Sequence, residues 1–435
     1  MENNTDLVLK PNGLSISGEK EGNLIVADPS RNSAPMLRTT FDIADKKVAK
    51  ARLYVTARGI YEIYLNGERV GNDYFNPGLT QYNKTHMYQT YDVTERVGKE
   101  NALGAWLSEG WWSGNITYSG EHWNFFGDRQ SLLAQLIITY EDGTEKMVTS
   151  NTDWKLFTDG PIQYGSFFQG EVYDATKEAV VEGWSTTGFD DASWKPVKEV
   201  SLEGTTYPDD GLTYENLEII GQIGENASIV KELEPVSMEE VRPGVYVYDM
   251  NQNMVGFPEI KLPPGQAGDT ITLRYAEVKY PNLREYDPNV GMVMLENIRA
   301  ALTQDIYIRK GGEETIRPRF TFHGFRFLEI TGVDAPVPME NIKGLVISSI
   351  DRLSSKYETS NELVNKLREN ITWSYGEISC PFPRIPQLEM SVWAGAVIST
   401  YFQKHLPTWR TWSLFWIGIC SPCEMCNARM DALPM

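Results

Sequence analysis

Apolar and polar positions alternate along most of this chain, the pattern of half-buried strands. In "KARLYVTARGIYEIYLNGERVG" the alternation runs into Asn66-Gly67, a pair suited to the type I′ turn of a tight hairpin. "LLAQLIITYEDGTEKMVTS" repeats the logic, with Asp142-Gly143 at the turn. Between them lie a loop-to-strand passage, "NPGLTQYNKTHMYQTYDVT", and a long aromatic, glycine-rich excursion, "GAWLSEGWWSGNITYSGEHWNFFGDRQ". Turn formers and acidic residues then cluster in "SLEGTTYPDDGLTYENLE", which places a boundary near residue 210. A second β segment follows through "GVYVYDMNQNMVGFPEIKL", "GDTITLRYAEV", "TQDIYIRKG" and "RFTFHGFRFLEITG". Period-two segments separated by turns, without long helical periods, predict antiparallel β-sandwiches.

A helical period is reached only at "TSNELVNKLRENITWS", where Thr359 and Glu362 have capping-box spacing. Leu363, Val364, Leu367 and Ile371 then form an apolar stripe. After Tyr375 the regular pattern stops: proline spacing there suits neither helix nor strand, and all four cysteines fall beyond that point. The resulting division is an N-terminal extension over 1–35, sandwiches over 36–210 and 211–352, an opening helix over 353–375, and an irregular tail over 376–435.

At 435 residues the chain exceeds one ordinary core, in keeping with several domains. The net charge of −19 argues against nucleic acid and against an anionic membrane surface as partners, and favours a neutral ligand. No apolar run is long enough to span a bilayer, and the first residues show no secretory leader. With 12 Trp and 22 Tyr, aromatic side chains could serve as sugar-stacking surfaces or as sandwich core, and core is the commoner use.

From residue 36 to 375 the chain resembles the bacterial α-L-rhamnosidases of glycoside hydrolase family 78. The likeness is carried by an ordered set: "YLNGERVG", "NPGLTQYNKTHMYQTYDVT", "GAWLSEGWWSG", "FQGEVYDATKE", "FDDASWKPV", "TITLRYAEV", "PRFTFHGFRFLEITG" and "SNELVNKLRENITWS". The resemblance implies a mainly β architecture of two antiparallel, jelly-roll-like β-sandwiches followed by the start of a truncated (α/α)6 catalytic barrel. It implies inverting hydrolysis of terminal α-L-rhamnosides, a rhamnose-containing oligosaccharide or glycoside as partner, and a periplasmic or secreted place for an intact bacterial enzyme.

In that family "NITWS" is followed by a stretch like R-G-N-F-L-S-I-P-T-D-x-P-x-R-x-E-R-x-G-W-x-G-D, whose Glu serves as general acid. This chain reads "YGEISCPFPRIPQLEMSVWAGAV" instead. Codons for Gly376 to Ile385, regrouped by one base, can spell G-N-F-L-S-I-P-T-D, and the rest of the tail can be decoded in the same way. A single-base deletion in the codons around Tyr375 and Gly376 is therefore expected, leaving no catalytic residue in frame. Glu389 carries little weight as a substitute.

The tail's Cys420, Cys423 and Cys426, at C-x-x-C-x-x-C spacing, raise a metal site. Cys380 lies far upstream and His405 has no partner, a poor tetrahedral set. Codon regrouping accounts for them better, so neither metal nor cofactor is expected. The non-catalytic candidates are Trp111, Trp112 and Trp123 of the aromatic excursion, which suit either sugar stacking or interdomain packing, with packing preferred. Glu171 and Asp174 of "GEVYDA" could bond a sugar or a neighbouring loop, with the structural role preferred. His323, between strand-like segments, reads as a satisfied core or turn histidine.

Overall fold

The computed structural model describes residues 34–115, 124–198, 217–296, 298, 301–350, 352–353 and 356–378. Trp123, the boundary near 210, most of the N-terminal extension and the cysteine-bearing tail lie outside the described residues.

The described chain is mainly β, with a single α-helix, Glu362–Ile378. A six-stranded sheet contains Met36–Asp42, Glu100–Ser108 and Ile60–Leu65 in its middle. A five-stranded sheet is centred on Val48–Arg58 between Thr85–Asp92 and Ser131–Tyr140. Both hairpins expected from the sequence form. Asn66 and Gly67 both take positive φ, 54° and 89°, as a type I′ turn requires, and set Tyr64 opposite Arg69. Ser131–Tyr140 pairs with Glu145–Thr149 across the Asp142-Gly143 turn.

Burial explains the two kinds of strand. Ser131–Tyr140 alternates, sending Ala134, Leu136, Ile138 and Tyr140 inward. These meet Leu53, Val55, Ile63, Leu65, Leu103 and Leu107 in a core shared by the two sheets. Glu100–Ser108 is instead buried from Asn101 to its end, because its sheet is covered on both faces. The second cover is a seam where Met36, Ile60 and Trp106 pack with Val255, Phe257, Phe320, Phe322 and Leu345.

Those last residues belong to the C-terminal half, whose ten-stranded sheet runs from Ile162–Ser166 to Ser228–Leu233. Tyr246, Tyr248, Ile271, Leu273, Phe325, Leu328 and Ile342, all from this one sheet, cluster together, so the sheet curls around its own core.

Purely antiparallel pairing is corrected at two places. Gly170–Asp174 runs parallel to Gln304–Ile308, and Glu218–Gly221 runs parallel to Thr85–Asp92. Both pairs join strands far apart in sequence, where no hairpin imposes an antiparallel partner. Strand pairing thus crosses between the halves in both directions.

The helix starts later than its capping box implied. Asn361 Oδ1 accepts the backbone N–H groups of Leu363 (3.0 Å) and Val364 (3.3 Å), whereas Thr359 bonds Asn361 and Asn365. Asparagine one residue before Glu362 outcompetes the threonine because its side chain reaches the first free N–H groups. Leu363 and Leu367 remain 81% and 59% exposed, so the predicted stripe exists but covers nothing among the described residues. Trp373, on another side, packs onto the ten-stranded sheet's core.

Candidate functional site

A cleft of about 440 Å³ opens where the six-stranded sheet, the crossing strand Gly170–Asp174 and the segment Arg317–Arg319 meet. Its residues arrive by local rules. Glu62 and Tyr64 sit two apart on Ile60–Leu65 and share a face, with Tyr64 Oη donating to Glu62 Oε2 at 2.6 Å. The Asn66-Gly67 turn returns Arg69, whose Nε lies 3.3 Å from Glu62 Oε1. Glu171 and Tyr173 share a face in the same way. The parallel register sets Tyr173 beside Tyr307, and their rings lie parallel with centroids 5.5 Å apart.

Gly170 makes that approach possible. A Cβ there would lie 1.7 Å from the Gln304 carbonyl oxygen, and its φ is +78°. The close contact lets the Glu171 N–H donate to Asp305 Oδ1 at 2.8 Å. Asp305 Oδ2 also accepts from Tyr275 Oη at 2.6 Å, and His323 Nε2 lies 3.0 Å from it. His323 stacks on the Tyr275 ring at 3.9 Å, a buried histidine held on both its face and its edge.

The electrostatics divide the carboxylates. Burial raises Glu62, but the charges of Arg319 and Arg69 outweigh it and hold the group below the usual carboxylate range. Arg319 Nε donates to Glu62 Oε2 at 3.1 Å, a bond across 257 residues of chain. On Glu171 the Arg319 charge is a minor influence. Burial, then the charge of Asp305, pushes its carboxyl up to about 8. Its Oε2 accepts the backbone N–H groups of Arg319 (3.1 Å) and Phe320 (3.0 Å).

The sequence candidates do not converge. Glu171 lines the cleft. Asp174 caps the short 3₁₀ turn Ala175–Val180, accepting from Thr176 N (3.1 Å) and Thr176 Oγ1 (2.6 Å). Trp112 is 1% exposed, its Nε1 bonded to the Arg129 carbonyl, Phe126 stacked on it and the Arg58 guanidinium 4.7 Å from its ring centroid, so no ring face is open. Trp111 is half-buried against Phe167 and Phe168, at 5.4 and 5.8 Å. Among the described residues no three His, Cys, Asp or Glu groups are placed to hold a metal, and no helix is long and apolar enough to cross a membrane.

Sequence reasoning missed Glu62, Arg69, Tyr307, Arg317 and Arg319. One signal was present: Glu62 is a charge inside the otherwise apolar "IYEIYL", a position that needs a buried partner.

Comparison with known proteins identifies this scaffold. Residues 46–211 match the α-L-rhamnosidase N-terminal domain, and residues 239–348 match the bacterial α-L-rhamnosidase concanavalin-like domain. Curled sheets matching these two domains define the β-rich part of a glycoside hydrolase. An α-L-rhamnosidase from Streptomyces avermitilis is 41% identical over 79% of this chain and 31% of its own length. One from an Alteromonas species is 39% identical over 82% and 36%. The solved structure of the Streptomyces avermitilis enzyme complexed with L-rhamnose aligns with TM-score 0.72 at 39% identity, covering 82% of this chain and 33% of that one. An α-L-rhamnosidase from Aspergillus terreus aligns at 0.68 and 34% identity, covering 79% and 37%. The chain belongs to the α-L-rhamnosidase family, glycoside hydrolase family 78. It spans about a third of the length of the curated relatives it matches.

Proposed function

We propose that the described residues are the non-catalytic β portion of an α-L-rhamnosidase: two jelly-roll-like sandwiches leading into an (α/α)6 barrel whose opening helix is Glu362–Ile378. The whole enzyme removes terminal α-L-rhamnose from an oligosaccharide or glycoside with inversion at the anomeric carbon. The polypeptide as written has no hydrolytic activity of its own.

One observation carries this reading: the cleft carboxylates are already committed to the fold. Inversion needs an acid and a base roughly 6.5–9.5 Å apart with room for a water between base and sugar. Glu62 is tied to Tyr64, Arg69 and Arg319. Asp305 is tied to Tyr275, His323 and the Glu171 N–H. Glu178 accepts from Tyr173 Oη at 2.8 Å and from Lys310 Nζ. Glu171 Oε2 accepts the backbone N–H groups of Arg319 and Phe320, and a single carboxyl cannot play both roles.

The test is an aryl α-L-rhamnoside assay on the purified chain. No turnover above the uncatalysed rate is expected, and measurable hydrolysis would overturn the assignment. The shifted frame after Tyr375 belongs to the same reading. The gene's nucleotide sequence should regroup by one base into the family's barrel motif, and codons that cannot be so regrouped sink that part. Restoring the base and extending the gene through the barrel should then produce rhamnoside hydrolysis.

A further inference from the structure

We propose that the side chains of Gln304, Arg274 and Glu329 form an internal water-binding site, a short chain of ordered waters that helps hold the segment 278–296 onto the ten-stranded sheet. Strand register makes the row. Arg274, on Thr270–Ala276, pairs with Gln304 of Gln304–Ile308 on one side and with Glu329 of His323–Thr331 on the other. Leu273, Tyr275, Leu328 and Ile330 turn into the sheet's own core, so Arg274 and Glu329 between them turn to the opposite face. Gln304, directly paired with Arg274, shares that face.

Gln304 Oε1 and Nε2, Arg274 Nε and Glu329 Oε1 are all buried without a hydrogen-bond partner among the described residues. Gln304 is 1% exposed and Glu329 0%, so bulk solvent does not serve them. Arg274 Nη1 stands 3.5 Å from Glu329 Oε1, an ion pair beyond ordinary hydrogen-bond length. The other carboxylate oxygen, Glu329 Oε2, accepts the Val293 N–H at 3.3 Å. A buried donor or acceptor left unmet bears the full cost of losing its water, and a retained water removes that cost.

Spacing and charge select the ligand. Paired residues on neighbouring strands stand about 5 Å apart, and two hydrogen bonds of about 2.8 Å through one oxygen span that distance. The row offers two kinds of N–H, from Arg274 and Gln304, and two acceptors, from Gln304 and Glu329, and water donates and accepts through a single atom. One guanidinium and one carboxyl balance, so neither a cation nor an anion is drawn in. Val247, Ala276 and Val293, with Phe327 and Leu295, pack as an apolar cluster beside the row. Val293 belongs to the segment 278–296, whose arms are tied by Tyr280 N to the Met292 carbonyl (2.9 Å) and Met294 N to the Val278 carbonyl (3.0 Å). Water on Glu329 Oε1 keeps the carboxylate turned so that Oε2 meets the Val293 N–H.

The site is independent of the rhamnosidase reading, and its failure leaves the hydrolysis assay untouched. Thermal unfolding of the full chain carrying Gln304→Leu decides by its sign. Were the amide unsolvated, leucine would remove orphaned polar atoms and raise the midpoint. With water along the row, leucine strands that water and its other partners, and the midpoint should fall by about 2 °C or more. A raised midpoint overturns the proposal. Glu329→Gln, which keeps the shape, is then combined with Gln304→Leu in a double-mutant cycle. Two strand spacings, about 10 Å, separate the two positions, a distance at which effects ordinarily add. A shared water chain makes them non-additive, and strict additivity counts against it. A high-resolution crystal structure of the same chain should show water within hydrogen-bond distance of the Gln304 amide and of Glu329 Oε1. Density with no water there, or with those atoms bonded directly to protein groups, overturns the proposal.

Discussion

Glu171→Gln should change how the stability of this protein depends on pH, in a direction fixed by the cleft. The folded state holds the Glu171 carboxyl at about 8, against an ordinary value of 4.5, through burial and then the charge of Asp305. Between those values the folded chain keeps a proton that the unfolded chain has released. Stability is therefore fully present below about pH 4.5 and is lost as pH rises through 8. At about 1.4 kcal/mol per pH unit, the loss reaches about 3 kcal/mol at pH 7 and about 5 kcal/mol above pH 8. Glutamine keeps the shape, and its carbonyl can accept the Arg319 and Phe320 N–H groups as Oε2 does, but it has no proton to lose. The stability difference should swing toward the variant by about 3 kcal/mol between pH 5 and pH 7. Urea unfolding of both proteins at pH 5, 6, 7 and 8, followed by tryptophan fluorescence, reads this directly. Glu109, which burial also pushes up to about 8, titrates in both proteins and cancels in the difference. Parallel pH profiles, or a swing toward the wild type, would refute the reasoning.

Trp112→Ala removes a fully buried indole that bonds the Arg129 carbonyl and stacks with Phe126, and should cost about 3–5 kcal/mol in urea unfolding. Gly170→Ala drives a methyl into the Gln304 carbonyl at a positive-φ position, and should lose about 2 kcal/mol or more, read by calorimetric unfolding. Leu367→Glu changes a 59% exposed helix position whose side chain covers nothing described, so unfolding should shift by no more than about 0.5 kcal/mol, checked by the same melts.

Much of the fold was legible because its signals are local. The period of two in Ser131–Tyr140 and the Asn66-Gly67 turn each depend on a few adjacent residues, and both appear where the pattern put them. Strands buried on both faces were harder to read. Glu100–Ser108 carries no alternation, because its second face is covered by residues more than a hundred positions away. The cap moved from Thr359 to Asn361 because two competing side chains stood two residues apart.

The candidate site was legible only in part. "GEVYDA" marked Glu171, yet the tryptophans that drew notice for sugar stacking include one, Trp112, with no open face. The sequence by itself determined the β class, the turns, the family and the presence of a helix near the end of the described residues, since each is written in neighbouring residues or in an ordered series of short motifs. Which strands cross between the halves was decided by tertiary structure alone. So was the meeting of Glu62 with Arg319 and of Tyr173 with Tyr307. Those contacts close loops of more than a hundred residues. Their stability comes from burying a shared seam and pairing charges across it, and no period within a strand records which distant residue will be the partner.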